Sequence, residues 1–303
     1  MPRRAFALLL ALGWALLVHA QDAASPSPPP TAMSPAAATL DAEYAAFRSR
    51  SVEPRFHRPL QIRSRDGPEG VSGEIHALLD TPFAFASIAL KDPSHWCEIL
   101  LLHLDTKECR VSSGARGTFL RVGVVTHYDQ PASSAFELAF SHRVAEEAPR
   151  YLQVRLDAPA GPMGTTDYRI VLEAMPAEGG KTFMHMSYAY SYGALARIAM
   201  SAYFATFGRG KVGFTVVGVD AEGNPRYIGG MRGVVEHNTM RYFLAIEAWL
   251  AALPGPSAER LERSLAGWYD RAEHYPRQLH EMERDDYLAM KRSEFAHWRS
   301  QQP

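Results

Sequence analysis

Residues 165–207 read TTDYRIVLEAMPAEGGKTFMHMSYAYSYGALARIAMSAYFATF, and this stretch concentrates the apolar and aromatic residues of the chain. In its first segment Tyr168, Ile170 and Leu172 share one face of an extended strand, with Asp167, Arg169 and Glu173 on the other. Val171 is the one misfit to that period of two. Pro176, Glu178, Gly179 and Gly180 supply turn chemistry. Alternation then resumes from Lys181 to Tyr192 and puts Met184, Met186, Tyr188, Tyr190 and Tyr192 on one face. The expectation is a hairpin whose second arm presents methionines and tyrosines as a wall. Adaptable thioethers and amphipathic rings suit both a packed core and a cavity for an apolar ligand, core packing being the commoner use.

Working outward, ordered structure is expected to begin at Pro59-Leu60-Gln61-Ile62-Arg63, followed by a turn at Asp66-Gly67-Pro68 and a strand from Val71 to Leu79. Asp80-Thr81-Pro82 stops the strand. Thr81 as cap and Pro82 at a first helical position open a helix over Phe83–Leu90. After a break at Lys91-Asp92-Pro93, a second helix runs through Trp96 and Leu100. Strands are expected over Lys107–Ser112, Thr118–Tyr128, Ala135–Val144 and Tyr151–Asp157, separated by turn residues. Beyond Tyr192, Ala194–Phe207 reads as an apolar helix that needs burial, as a lid, in the core or on a partner. Val212–Val219 and Arg226–Met231 read as a strand pair. Glu236–Leu253 reads as a long helix with Phe243 in its buried stripe, stopped by Pro254-Gly255-Pro256. Helices from Ala258 to Arg271 and from about Pro276 to Trp298 follow, the last so rich in charge that it reads as a solvated face.

A strand, two short helices with a Trp near the start of the second, a run of antiparallel strands and a long helix resemble the START and polyketide-cyclase-like (helix-grip, SRPBCC) superfamily. The residues that carry the resemblance are Val71–Pro82, Trp96 and the hairpin through Tyr168 and Tyr188, within Pro59–Leu253. The resemblance implies an α+β fold in which a curved antiparallel β-sheet wraps around a long C-terminal helix, here with an extra C-terminal helical extension. It also implies an apolar cavity between sheet and helix, with Trp96, Tyr168, Met184, Met186, Tyr188, Tyr190, Tyr192 and Phe243 as candidate ligand-binding residues. The domain expectation is a signal peptide at 1–20, a Pro/Ala/Ser-rich linker at 21–39 and a short helix with connector at 40–58. A helix-grip domain at 59–253 and a helical extension at 254–303 complete it.

The N-terminus bears on location. Arg3 and Arg4 precede an apolar run from Ala5 to Val18, and Val18-His19-Ala20 fits a cleavage site, so a mature chain starting near Gln21 is expected in the periplasm or outside the cell. The run is shorter than the roughly 20 residues that span a bilayer, so no stable anchor is expected after cleavage. Among 303 residues, 47% are hydrophobic and 21% charged, an ordinary globular composition. A formal net charge of -1, with no Lys/Arg stripe among aromatics, argues against nucleic acid as a partner.

Cys97 and Cys109, the two cysteines of the chain, flank a helix-to-strand turn and are expected to form a disulfide after export. A metal site of His95, Cys97, His103 and Cys109 has suitable donors, but its spacing matches no familiar zinc pattern and oxidation competes for the thiols. No metal or cofactor is therefore expected. Gly208, Gly210 and Gly213 satisfy G-x-G-x-x-G, yet a helix precedes them and Phe214-Thr215-Val216-Val217 follows, the reverse of a dinucleotide site. There is no G-x-S-x-G, and His280-Glu281-Met282-Glu283 lacks the second histidine of H-E-x-x-H. No catalytic residues are assigned. His185 points away from the Met/Tyr face and reads as a structural histidine. Arg232, Glu236 and His237 are read either as polar groups at one cavity end or as groups that neutralise a helix terminus. The functional expectation is a binding protein for a lipid or other hydrophobic small molecule. The alternatives are a cyclase or hydratase on the same fold, and an interaction module that docks on an envelope protein through 194–207.

Overall fold

The computed structural model describes residues 33–50, 52–194, 197–198, 200 and 210–300. The chain divides into Met1–Ser34 and Pro35–Pro303, and the architecture below is that of the second unit. The expected signal peptide, most of the linker and most of the apolar helix 194–207 lie outside the described residues. No helix among those residues is long and apolar enough to cross a membrane.

Strands β1 (Leu60–Asp66), β2 (Gly70–Leu79), β3 (Thr106–Gly114), β4 (Gly117–Val124), β5 (Phe136–Ala148), β6 (Tyr151–Ala160), β7 (Thr165–Pro176) and β8 (Thr182–Tyr192) form one curved antiparallel sheet. Their order is β1-β2-β8-β7-β6-β5-β4-β3. All sequential strands pair as hairpins except β2 with β3, where α2 (Phe83–Lys91) and α3 (Pro93–Leu100) carry the chain to the opposite edge. Strand β8 returns to pair with β2, with Ile75 opposite Met186 and Gly73 opposite Tyr188. The expected β7–β8 hairpin is present, and its alternation is strict enough to bury Met184, Met186, Tyr188, Tyr190 and Tyr192 on one face.

Across that face lies α4 (Gly230–Ala252), the gripping helix, so the chain has the helix-grip α+β fold. It starts earlier than the expected Glu236 because Gly230 takes a positive φ of 63° that turns the chain into the helix. Close approach to β2 depends on Gly73, where a Cβ would sit 2.4 Å from Thr239 Oγ1 and 3.2 Å from the Val235 carbonyl oxygen. The expected pair over 212–219 and 226–231 is a short separate ribbon, β9 (Val216–Val219) with β10 (Pro225–Tyr227), whose β9 residues are all exposed.

On the outer face, α1 (Pro35–Arg48) packs Leu40, Tyr44 and Phe47 against Tyr151, Met175 and Phe183. The helix begins inside the stretch expected to be linker, because Pro35 is favourable in a first turn and the alanines after it are the strongest helix formers. The C-terminal part comprises α5 (Arg260–Ala272), α6 (Pro276–Leu279) and α7 (Arg284–Ser300), so the expected single helix over 276–298 is broken at 280–283. Nor is α7 simply a solvated face. It buries Tyr287, Leu288, Phe295 and the fully enclosed Lys291. The Lys291 ammonium donates to the His103 and Thr106 carbonyl oxygens and to Glu294 Oε2, and Glu294 Oε1 accepts from buried Lys107 of β3. Burial pushes the Lys291 pKa down to about 8, with Glu294 opposing the shift. The extension is thus keyed into the domain by a hydrogen-bonded cation rather than laid over it.

Candidate functional site

Between the sheet and α4 a cavity of about 130 Å³ opens near β3, β4 and the loop before β7. Its apolar wall includes Val124, Val125, Leu138 and Met200, and its aromatic wall is Tyr168, Tyr188, Tyr190 and Tyr242. The rings of Tyr168 and Tyr190 stack at 5.1 Å, and Tyr188 lies 5.5 Å from Tyr242. Tyr168 is placed by an irregularity in β7 between Thr166 and Arg169, and its hydroxyl lies 2.8 Å from Thr165 Oγ1. Gly161 makes room for that ring, since a Cβ there would fall 2.1 Å from Tyr168 Cε2.

The other end is polar. His103 and Asp105 come from the loop after α3, His237 and Asn238 from α4, and Lys211 from the segment before β9. The Asp105 backbone N–H donates to His103 Nδ1 at 3.1 Å, which leaves the proton of the neutral ring on Nε2. That Nε2 is buried and has no hydrogen-bond partner among the described residues, and the same holds for Asp105 Oδ1 and both ring nitrogens of His237. Behind them Arg241, one helical turn from His237 and fully enclosed, donates to the Leu279 carbonyl oxygen and faces Glu281 Oε1 at 3.3 Å. Glu281 Oε1 also lies 3.1 Å from Lys211 Nζ and 3.5 Å from His237 Nε2.

Burial decides the protonation states. It pushes the His237 pKa down to about 3, aided by Arg241, and holds His103 well below the usual imidazole range. It raises the Asp105 carboxyl, with Lys211 and Arg241 opposing. For Glu281 burial works upward but is outweighed, and Arg241, His237 and Lys211 keep its carboxyl well below the carboxylate range. The site therefore offers neutral imidazoles beside a fixed carboxylate. A lowered histidine pKa means that the unfolded chain binds protons the folded chain does not, so stability falls as pH drops below the unfolded value near 6.5. From pH 7 to pH 5 His237 is expected to remove about 2 kcal/mol, and His103 acts in the same direction. Urea unfolding at the two pH values measures the loss, to which His76 and His142, also lowered by burial, add, and His237→Asn is expected to reduce it by about 2 kcal/mol; an unchanged difference would contradict the assignment.

A second concavity of about 750 Å³ lies among Phe56, Arg58, Glu247, Arg271 and Tyr275. Its charges satisfy one another, Arg58 binding both oxygens of Glu247 at 2.9 and 2.6 Å and Arg271 Nε donating to Glu247 Oε2 at 3.0 Å. The smaller cavity is the better candidate, because it holds buried polar atoms with no internal partner.

Of the residues expected from the sequence, Tyr168, Tyr188 and Tyr190 line this cavity. Met184, Met186, Tyr192, Trp96 and Phe243 are buried elsewhere in the core. Tyr192 closes the far end of β8, donating its hydroxyl proton to Asp66 Oδ1, and Trp96 Nε1 donates to the Leu90 carbonyl oxygen at 2.7 Å. Glu236 is not at the helix terminus. It is fully buried and accepts from Ser64 Oγ, Thr215 Oγ1 and the backbone N–H of Phe214 and Thr215. Arg232 Nε donates to Ser64 Oγ. Cys97 and Cys109 are bridged, fixing α3 to β3 around the loop that carries His103 and Asp105, so neither sulfur is a thiolate ligand. His103, Asp105, Lys211, Tyr242 and Glu281 were not singled out as parts of a cavity by sequence reasoning. No periodicity relates them, and the one available signal was the isolated polar pair His103 and Asp105 in an apolar run.

No protein-family model and no curated protein matches this sequence. Solved structures similar to it include Ara h 8.0201, at 10% identity over 64% of this chain and 99% of that one, with a TM-score of 0.35. Norcoclaurine synthase from Thalictrum flavum in complex with dopamine and hydroxybenzaldehyde is similar at 12% identity over 51% and 82%, with a TM-score of 0.32. Human StAR-related lipid transfer protein 5 is similar at 8% identity over 55% and 86%, with a TM-score of 0.30.

Proposed function

We propose that this protein is exported and binds a compact, mostly apolar small molecule bearing one polar group, with the apolar part among Tyr168, Tyr188, Tyr190 and Tyr242. The observation that carries the reading is the set of unpartnered polar atoms of His103, Asp105 and His237 at the end of an aromatic cavity. Such atoms cost free energy until a ligand or water satisfies them. Neutral His103 offers an N–H, and His237 offers an N–H and a lone pair, so a carbonyl or hydroxyl oxygen is the complementary group. Size narrows the class. A cavity near 130 Å³ is close to the 150 Å³ that admits benzene and well below the roughly 300–1,000 Å³ of drug-sized sites. A single ring or short chain fits that volume better than a two-chain lipid. Support for export comes from the Arg3-Arg4 apolar run and from a disulfide that an oxidising compartment maintains.

Native mass spectrometry with phenol, benzoate, indole and octanoate tests binding. A one-to-one complex with at least one of them is expected, weakened in Val124→Trp, which fills the cavity. No complex with any of the four, together with no extractable compound in freshly purified protein, would overturn the reading. A second reading, acid–base chemistry on the bound carbonyl, is favoured by the contact of His237 with Glu281 and by His103 lying against Tyr242 at 5.0 Å. Turnover of the bound compound that disappears in His237→Asn while binding persists would select it.

A further inference from the structure

On the face of the sheet turned away from the cavity, β2 and β8 place His76 and His185 directly opposite one another. Their imidazoles stack at 4.4 Å with 12° between planes. Helix α1 crosses this face, held by the rings of Tyr44 and Phe47 at 4.8 and 5.2 Å from Phe183. That docking brings Glu43 to the pair, with its Oε2 3.2 Å from His76 Nε2. One donor atom from each of Glu43, His76 and His185 lies within 4.8 Å of the other two.

A second observation concerns the direction in which His185 presents its lone pair. His185 Nδ1 lies 2.9 Å from Glu173 Oε2, and Glu173 is itself fixed by the Tyr151 hydroxyl and by Gln153 Nε2, both donating to Oε1. A neutral histidine that donates one N–H to an anchored carboxylate has its other nitrogen bare, and this carboxylate–histidine arrangement is what orients and strengthens a metal ligand. The bare nitrogen, Nε2, is buried and has no hydrogen-bond partner among the described residues. It lies 4.0 Å from Glu74 Oε2, on a ring that stacks parallel to that of His76, so the in-plane lone pairs of the two imidazoles do not point at one another. Glu43, Glu74 and Glu173 thus put three carboxylates around two imidazoles, and with Arg63 opposite Glu74 a net negative charge remains that a dication balances.

We propose that Glu43, His76 and His185 bind one divalent first-row transition ion of the Zn²⁺ type, which pins α1 to the outer face of the sheet. Two imidazoles with one carboxylate suit zinc and disfavour calcium or magnesium, which take oxygen donors. Glu74 or water completes the set. Donors at 2.0–2.1 Å in a tetrahedral site lie about 3.3 Å apart, so the present spacing closes by side-chain rotations on the order of 1 Å. The ion would join two neighbouring strands to the helix that begins within the chain's Pro/Ala/Ser-rich segment, a clamp independent of the cavity on the other face.

The test uses tag-free mature protein stripped with a chelator and titrated with Zn²⁺ against a chromogenic competitor. One Zn²⁺ per chain is expected, with a rise in Tm, and Co²⁺ is expected to give the visible absorption of a tetrahedral N/O site. Glu43→Gln and His185→Gln should each weaken Zn²⁺ binding at least tenfold. Glu43 is partly exposed, so its substitution leaves the fold intact, as an unchanged near-ultraviolet circular dichroism spectrum of the stripped protein would verify. Absence of stoichiometric binding overturns the proposal. Binding that is indifferent to Glu43→Gln overturns it equally, because the ion would then lie elsewhere or would not clamp the helix.

Discussion

Replacing Glu281 with Ala is expected to lower the unfolding free energy by roughly 3–5 kcal/mol, the cost of breaking a buried ion pair from one side. Arg241 is fully enclosed on α4, and its described hydrogen bond goes to a single carbonyl oxygen, that of Leu279. Its Nε and Nη1 have no hydrogen-bond partner among the described residues, so Glu281 carries the compensation of that charge. Lys211 sits 3.1 Å from the same carboxylate oxygen and would lose that contact too. The expectation separates a charge effect from lost packing. Adding Arg241→Met to Glu281→Ala removes both charges of that pair, and the double variant should recover most of the loss seen in Glu281→Ala alone. Urea unfolding of the single and double variants measures the coupling. Acid gives an independent reading. The Glu281 pKa is depressed in the folded state, so its stabilisation is present above the unfolded value near 4.3 and is lost as pH falls below it. Additive single and double variants would show that Arg241 does not depend on Glu281.

The hairpin at the centre of the fold was legible because its alternation is uninterrupted from Met184 to Tyr192 and its turn residues are unambiguous. The long helix was legible from its apolar stripe and its Pro-Gly-Pro stop. What alternation cannot say is where along a buried strand the packing opens. Met184 and Met186 share a face with Tyr188 and Tyr190, yet only the tyrosines reach the cavity, because the residues opposite them on α4 and in the loop after α3 decide where it lies. The polar end was hidden for a related reason. The His103–Asp105 pair, Lys211 and His237 are far apart in sequence and meet only once β2 pairs with β8 and the crossover takes β3 to the far edge.

The C-terminal part was misjudged from charge. A Lys in a helix rich in Glu, Asp and Arg reads as solvated, but Lys291 is fully buried because two carbonyl oxygens and Glu294 receive its three protons. Hydropathy counts the ammonium as a surface group and cannot see its acceptors. The outer His76–His185 pair was half visible. Alternation put His185 opposite to the methionines, whereas the partner strand and the helix that brings Glu43 required the topology.

Reducing the Cys97–Cys109 bridge is expected to lower stability by about 3 kcal/mol, from the entropy returned to the unfolded chain when a closed loop of this length opens. The two residues are 12 apart in sequence, and both sulfurs are buried. Reduction is therefore a cleaner perturbation than substitution, since a pair of thiols nearly fills the same space whereas two alanines would add a cavity cost. The consequence should extend to the candidate site. The loop between α3 and β3 carries His103 and Asp105, so freeing one of its two anchors should loosen the polar end before the aromatic wall. Urea unfolding with and without reductant measures the stability loss. Hydrogen exchange should then speed at residues 101–105 more than across β6 and β7, the sheet's central strands. Thiol labelling of unfolded, unreduced protein checks the premise. Two free thiols there would remove the bridge from the native molecule, and with it both the stability difference and the reason for expecting the loop to respond first.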